Sequence, residues 1–345
     1  MRYKHFTNAN EDVSLISIGT WGTGELESFG LVEKENGKVT TKGIMKARER
    51  AVEAIQAGLQ GGINLIDTAP CYGWGASERI VGEAIQDFDR DKIMISTKFS
   101  LVPDMARPER GGASSGGSYK NVMREVSASL RLLRTNYIDF YIMHYPDPYT
   151  DVAETMSALN VLKKRGVIRH IGLSNHSKEQ IERAMEWAQI DIIQPPFSMV
   201  DREMEDLMRW AKSQGIDSLT YGTLGAGLLS GKVREMPVFD PQDVRRGFYR
   251  NLYNEENFAK FLKLLEVMDN IAAAHNCPVG QVAINWTGEQ DYVGTELIGM
   301  GSPEHARENC KAFDWTMSEE EKAAIDRVLH EMGIGDIELL DWMKR

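Results

Sequence analysis

Short apolar runs recur along the chain, and polar, helix-patterned segments separate them. The runs cover residues 15–19, 64–67, 93–98, 137–144, 170–174, 191–194, 216–221 and 296–299. Each is four to eight residues long and rich in Ile, Leu, Val, Tyr or Phe, which is the length and composition of a buried strand. Between them, residues 48–59, 122–133, 152–164, 178–188 and 258–275 carry apolar positions at helical spacing. Strands alternating with helices, and no linker between halves, predict one α/β domain over residues 1–345: a (β/α)8 TIM barrel, not a doubly wound sheet. Residues 2–13 alternate like two short strands around Asn8-Ala9-Asn10-Glu11. Three connections exceed what a barrel needs, at residues 21–43, 101–118 and 223–257. All three follow strands, which puts these long loops on the catalytic face, where such loops shape pockets.

Polar residues stand where three successive runs end. Asn64-Leu65-Ile66 leads into Asp67, Ile93-Met94-Ile95-Ser96-Thr97 into Lys98, and Asp139-Phe140-Tyr141-Ile142-Met143 into His144. Tyr72 follows Asp67 within Asp67-Thr68-Ala69-Pro70-Cys71-Tyr72-Gly73. A phenol can protonate a developing alkoxide if its pKa, about 10 in isolation, is drawn toward working pH. A nearby ammonium does this by stabilising the phenolate; a carboxylate keeps the ammonium charged, and an imidazole can orient a carbonyl oxygen. The four residue types suit carbonyl reduction. Cys71 adjoins Tyr72, but strand-end alternation points neighbouring side chains apart, so the expectation is a structural cysteine.

Charge narrows the partners. The chain has 40 basic and 51 acidic residues, a net charge of −11, which disfavours nonspecific binding to nucleic acid or an anionic membrane. Cys71, Cys277 and Cys310 form no close pair, and the N-terminal residues lack an apolar signal core, so a reducing cytoplasm is expected. The histidines (5, 144, 170, 176, 275, 305 and 330) show no metal-ligand spacing, and no metal is expected. No Gly-x-Gly-x-x-Gly stands between a strand and a helix; Gly19-Thr20-Trp21-Gly22-Thr23-Gly24 has the wrong spacing. Gly227 to Gly231-Lys232 has one residue too few for a P-loop, and Val233 follows where Ser or Thr is required.

Asp67, Tyr72, Lys98 and His144, in that order and at those strand ends, resemble the catalytic tetrad of the aldo-keto reductases. The surrounding words agree: Ser77-Glu78 and Gly82, Thr97-Lys98-Phe99, Gly172-Leu173-Ser174-Asn175, Leu224-Gly225-Ala226-Gly227-Leu228-Leu229-Ser230-Gly231-Lys232 and Glu308-Asn309. The likeness runs from about Leu15 to Glu320 and leans toward the bacterial enzymes and the potassium-channel β-subunits of that superfamily. It implies a nicotinamide dinucleotide extended across the barrel mouth. Ser174, Asn175 and Gln194 would hold the carboxamide, Tyr221 would stack on the ring, and Gly19, Thr20, Trp21, Asp67 and Gly222 would border the cleft. Leu224, Gly225, Ala226, Gly227 and Lys232 would flank the pyrophosphate, the small residues letting backbone N–H groups approach it. Asp201-Arg202 would close the same edge. The opening hairpin resembles the one that plugs the barrel bottom in that family.

The segment implied for adenosine is Gly299-Met300-Gly301-Ser302-Pro303-Glu304-His305-Ala306-Arg307-Glu308-Asn309, with Gly299, Gly301, Ser302, His305, Glu308 and Asn309 as contacts. Many relatives carry an arginine or lysine early in this segment, where this chain has Met300 and Gly301. A 2′-phosphate would rely on Ser302, His305 and Arg307. NADP(H) is the expected cofactor, with NAD(H) possible. The substrate pocket is expected from Trp21, Tyr72, Phe99 and His144, with Phe248, Tyr249, Arg250 and Tyr253 as further wall. The substrate would be a small aldehyde, ketone or sugar carbonyl. Two other classes stay open: a cofactor-binding regulatory or sensor subunit with little turnover, and a lyase in which Lys98 forms a Schiff base. The tail, with Leu339, Leu340, Trp342 and Met343, could cover the mouth, meet another subunit or pack on its own barrel.

Overall fold

In the computed structural model, residues 1–27, 29–103, 113–236, 238 and 254–333 are described. Eight strands form a closed, all-parallel barrel in chain order: β1 (Ile16–Gly19), β2 (Leu65–Asp67), β3 (Met94–Phe99), β4 (Ile138–Met143), β5 (Ile168–Ser174), β6 (Ile192–Gln194), β7 (Asp217–Tyr221) and β8 (Thr295–Gly299), with β8 pairing back to β1. These are the eight apolar runs, each within two residues of its expected start and end. Helices run on the outside, including Thr41–Gln60, Ala76–Ala84, Tyr119–Leu133, Val152–Lys164 and Glu255–Ala274. Thr41–Gln60 begins seven residues ahead of the periodic segment because Thr40 caps it, accepting from the Gly43 N–H at 3.1 Å.

Strand alternation divides the core in two. Leu65, Met94, Phe140, Ile142, Ile192, Leu219 and Leu297 fill the lumen, while Ile66, Ile95, Tyr141, Ile171 and Ile193 pack against the helices. The hairpin of Tyr3–Phe6 and Glu11–Ser14 closes one end as expected, with Phe6, Ala9 and Val13 joining the lumen cluster. Burial of Phe6 alone stabilises this closure by about 1.5–3 kcal/mol. Buried carboxylates tie the strand starts together: Asp139 takes Arg90 at 2.6 Å and Arg169 at 3.1 Å, and Asp191 takes Lys163 at 3.0 Å. Six of the eight lumen rows end in a polar residue at the opposite end of the barrel, while those of β1 and β8 end in Gly19 and Gly299, and this ring of strand ends is the candidate site.

The first long loop holds the helical turn Trp21–Gly24 and a small hairpin of Lys34–Glu35 with Lys38–Val39. The second begins and ends in the paired strands Leu101–Pro103 and Ala113–Ser115. Phe248, Tyr249, Arg250 and Tyr253 of the third loop, and the tail with Leu339, Leu340, Trp342 and Met343, lie outside the described residues.

Candidate active site

Period two decides which side chains reach the mouth. Asp67 shares the lumen face with Leu65, Lys98 with Met94 and Ser96, and His144 follows Phe140 and Ile142 on theirs. Gln194 and Tyr221 continue the rows of Ile192 and Leu219. Register brings the rows level, pairing Asp67 with Ser96, Lys98 with Ile142 and Ser174 with Gln194.

The centre is a chain of contacts through one ammonium. Lys98 Nζ is fully buried and donates to Asp67 Oδ2 at 2.7 Å, the Thr68 carbonyl at 2.9 Å and Tyr72 Oη at 3.1 Å. An ammonium has three donors, and all three are used. The other Asp67 oxygen accepts from Ser96 Oγ at 2.9 Å and Gln194 Nε2 at 2.9 Å. The buried carboxylate is therefore paired and hydrogen-bonded on both oxygens, the condition for keeping a charge inside a protein. The His144 ring meets Tyr72 edge-on, with centroids 6.1 Å apart at 84°.

Tyr72 is aimed by a turn held from two sides. Its N–H donates to the Ala69 carbonyl at 3.1 Å, and Ser77 N–H donates to the Tyr72 carbonyl at 3.2 Å. The Trp21–Gly24 turn lies directly against it. A Cβ on Gly24 would stand 2.5 Å from the Tyr72 carbonyl oxygen and 2.9 Å from the Tyr72 Cβ. Gly73 is equally confined: its φ is +59°, and its Cβ would stand 2.1 Å from the Gly24 carbonyl oxygen. Beneath them Ser77 Oγ donates to Thr20 Oγ1 at 2.7 Å, and Thr20 Oγ1 donates to the Asp67 carbonyl at 2.8 Å. Gly24→Ala is expected to cost about 1–3 kcal/mol of stability and, by displacing Tyr72, to lower kcat about 10- to 100-fold. Urea melts and turnover of the variant check both numbers; a Gly24→Ala protein with unchanged kcat would show that this contact does not aim the phenol.

Burial, with the Asp67 carboxylate second, holds the Tyr72 phenol well above its ordinary value. Loss of solvent around a phenolate and the Asp67 charge both favour the protonated phenol, against the lowering expected from Lys98. Burial and then the Lys98 charge hold the His144 imidazole well below its ordinary value, so the ring is neutral at pH 7.

The residues expected at the nicotinamide are joined into one network. Tyr221 Oη donates to Asn175 Oδ1 at 2.9 Å, and Asn175 Nδ2 donates to the His144 carbonyl at 2.9 Å and to Ser174 Oγ at 3.1 Å. Ser174 Oγ donates to the Gln194 carbonyl at 2.8 Å. A carboxylate only accepts, so the Gln194 amide nitrogen must face Asp67, leaving its side-chain oxygen as the remaining acceptor. After β7 the backbone is left-handed at Gly222, Gly225, Ala226 and Gly227. The Gly225 and Gly227 N–H groups donate within this turn, to Gly222 at 2.7 Å and Leu224 at 2.9 Å. A Cβ at Gly227 or Gly299 would meet nothing within 4 Å, which leaves open space beside β7 and β8 for an extended ligand. Lys232 is exposed. Beyond β8, Gly301 is half-buried, and Ser302 caps the helix Pro303–Asn309, accepting from the His305 N–H at 3.2 Å. His305 and Glu308 are exposed and Asn309 half-buried, while Met300 is buried against Gly58.

Three expectations are corrected. Phe99 is 1% exposed and packs on Tyr141, with centroids 4.8 Å apart, in the layer under the helices. It follows Lys98 on the same strand, and period two turns it away from the pocket. Cys71 does reach the site: Sγ lies 3.6 Å from His144 Nδ1. Strand alternation fails there because the strand ends at Asp67 and Cys71 sits in a turn. Arg202 is turned to Glu205 and over the Trp286 ring at 5.0 Å, a helix contact and not a cleft edge. Trp21 is 36% exposed and packs with Tyr72 at 6.5 Å between centroids. Its indole N–H donates to Glu25 Oε1 at 3.2 Å, a partner with no sequence signal. Among the described residues no three His, Cys, Asp or Glu side chains cluster to hold a metal, and no helix is long and apolar enough to cross a membrane.

Residues 16–330 match the profile of the aldo/keto reductase family. The chain is 32% identical to the aldo-keto reductase YhdN of Bacillus subtilis, over 95% of this chain and 94% of the relative. It is also 32% identical to the NADH-specific methylglyoxal reductase of Escherichia coli, over 89% and 92% respectively. Among solved structures it is similar to a glycerol dehydrogenase from Gluconobacter oxydans, at 30% identity and a TM-score of 0.82, covering 97% of both chains.

Proposed function

The chain belongs to the aldo/keto reductase family of oxidoreductases, and from that premise we propose that it uses NAD(P)H to reduce a small aldehyde, ketone or sugar carbonyl to the alcohol, or runs the reverse. The observation that carries this reading is the unbroken contact from Asp67 through Lys98 to Tyr72, at 2.7 and 3.1 Å, with the neutral His144 ring at the edge of the phenol.

The dinucleotide, when bound, supplies the hydride. The remaining work falls to side chains of this chain. Tyr72 Oη and His144 receive the carbonyl oxygen, and Tyr72 gives it a proton as the carbon is reduced. The phenolate left behind is held by the Lys98 ammonium until a solvent proton replaces the one lost. One hydride and one proton are added, and an alcohol leaves. Lys98 Nζ is paired with Asp67 at 2.7 Å, so it is not the unpaired amine that a Schiff base needs. That disfavours a Schiff-base lyase. Preorganised donors at the developing oxyanion act strongly in a site shielded from water.

The open space at Gly227 and Gly299 and the Ser174–Asn175–Gln194 network fit an extended dinucleotide. Ser302 and His305 at the start of the last short helix favour NADP(H), and Arg307 adds a positive charge. Glu304 beside them, paired with Arg50 at 3.2 Å, opposes a second negative group and keeps NAD(H) possible. Two relatives, a methylglyoxal reductase and a glycerol dehydrogenase, support a short oxygenated substrate. Tryptophan fluorescence titration with NADPH and NADH, followed by a carbonyl turnover screen, tests the reading. Micromolar binding of one dinucleotide with turnover is expected. Binding without turnover would move the assignment to a sensor subunit, and no binding would sink it.

A pH prediction follows from the raised phenol. Tyr72 holds its proton through the neutral range and above the ordinary tyrosine range. The rate of reduction is therefore expected to stay flat from about pH 6 to 9 as far as this group is concerned. Alcohol oxidation needs the phenolate and is expected to rise with pH across the same window. Reduction that titrates away near pH 7 would remove Tyr72 from the acid role.

A further inference from the structure

The proposed reaction leaves one half-buried group beside the tetrad without a role. Cys71 Sγ lies 3.6 Å from His144 Nδ1, and among the described residues this is the hydrogen-bond partner of either ring nitrogen. The rest of the His144 residue is fixed. Its N–H donates to the Phe99 carbonyl at 3.0 Å, its carbonyl accepts from Asn175, and Tyr145 lies against the ring at 4.9 Å between centroids. The ring thus has one nitrogen turned to a thiol and one left for an incoming oxygen.

We propose that Cys71 is a positioning residue whose S–H donates to His144 Nδ1 and so keeps the imidazole proton on Nε2, the nitrogen that meets the substrate oxygen. A neutral imidazole carries its proton on one nitrogen only, and the hydrogen bond made by the other decides which. Burial pushes the Cys71 thiol up to about 12, so the sulfur keeps its proton. The neutral ring offers a strong acceptor to that S–H. The reverse arrangement, Nδ1–H to sulfur, would leave a bare Nε2 lone pair facing the lone pairs of a carbonyl oxygen, which repel it. Only S–H to Nδ1 satisfies both neighbours of the ring. The thiol is not a nucleophile here: a thiolate is absent at neutral pH, and the sulfur's role ends at the histidine. At metal-bound histidines, loss of the partner of the second ring nitrogen costs about 10- to 100-fold, and that sets the scale taken for His144.

The inference rests on the reductase reading for its purpose, but its test does not. Long-range ¹H–¹⁵N correlation on uniformly labelled protein, with His144→Asn to assign the signals, reads the tautomer directly. Wild type is expected to show Nε2 protonated and Nδ1 as an unprotonated acceptor. Cys71→Ala is expected to show mixed tautomers and a kcat lowered about tenfold, with dinucleotide affinity unchanged. Cys71→Ser, which restores an O–H donor, is expected to recover the Nε2–H tautomer and most of the rate, and it also controls for misfolding. Nδ1–H in wild type, or the same tautomer in Cys71→Ala, would overturn the proposal. Wild type with the Nε2–H tautomer but no turnover of any carbonyl would overturn the reductase reading and leave the tautomer assignment standing.

Discussion

Tyr72→Phe is expected to lower kcat for carbonyl reduction by about 10²- to 10⁴-fold, the usual worth of a positioned proton donor, while leaving dinucleotide affinity within about twofold. Only the oxygen is lost. The ring that packs on Trp21 and against the edge of His144 is retained, so the pocket walls keep their positions. Lys98 Nζ loses one of three acceptors but keeps Asp67 at 2.7 Å and the Thr68 carbonyl at 2.9 Å, so its charge stays paired. Stability is accordingly expected to fall by no more than about 1–2 kcal/mol. The combination of a collapsed kcat, unchanged cofactor titration and a nearly unchanged melt separates loss of a proton donor from loss of structure. Equal turnover by wild type and Tyr72→Phe would mean that His144 or a water supplies the proton, and the assignment of the phenol would fall.

Which parts of this arrangement were legible beforehand follows from how local their cause is. Asp67, Lys98 and His144 could be found because each ends an apolar run, and a parallel barrel places such ends together. Ser174, Gln194 and Tyr221 share that logic. Phe99 was misread because a strand-end word was taken as a whole, when neighbours on a strand face opposite ways. Cys71 was misread by the opposite error, alternation carried past Asp67 into a turn. The hydroxyls of Thr20, Ser77 and Ser96 carry no pattern of their own. They brace Asp67 and the Tyr72 turn from segments up to 57 residues apart, so their role exists only once the barrel has closed. The direction of the Tyr72 shift was likewise hidden, since it depends on how little water reaches the phenol and on the Asp67 charge.

Lys98→Met is expected to be the most destabilising single change in the site. It removes the partner of a carboxylate that is 2% exposed, leaving Asp67 with two neutral donors, Ser96 Oγ and Gln194 Nε2. Breaking a buried pair from one side costs about 3–5 kcal/mol, because the remaining charge is desolvated without compensation. Removing both charges is a different perturbation. Asp67→Asn with Lys98→Met leaves a neutral amide that still accepts from Ser96 and no stranded ion. The double variant is expected to be more stable than Lys98→Met by about 1–3 kcal/mol, a coupling large enough for urea melts to resolve. Activity follows the opposite logic: both variants lose the ammonium that holds the phenolate, and both are expected to lose at least about 10² in kcat. Recovery of stability without recovery of rate would tie the pair's structural and chemical roles to the same contact. A Lys98→Met protein that melts like wild type would show that the 2.7 Å pair is not the buried ion pair described here, and the catalytic use made of it would fail with it.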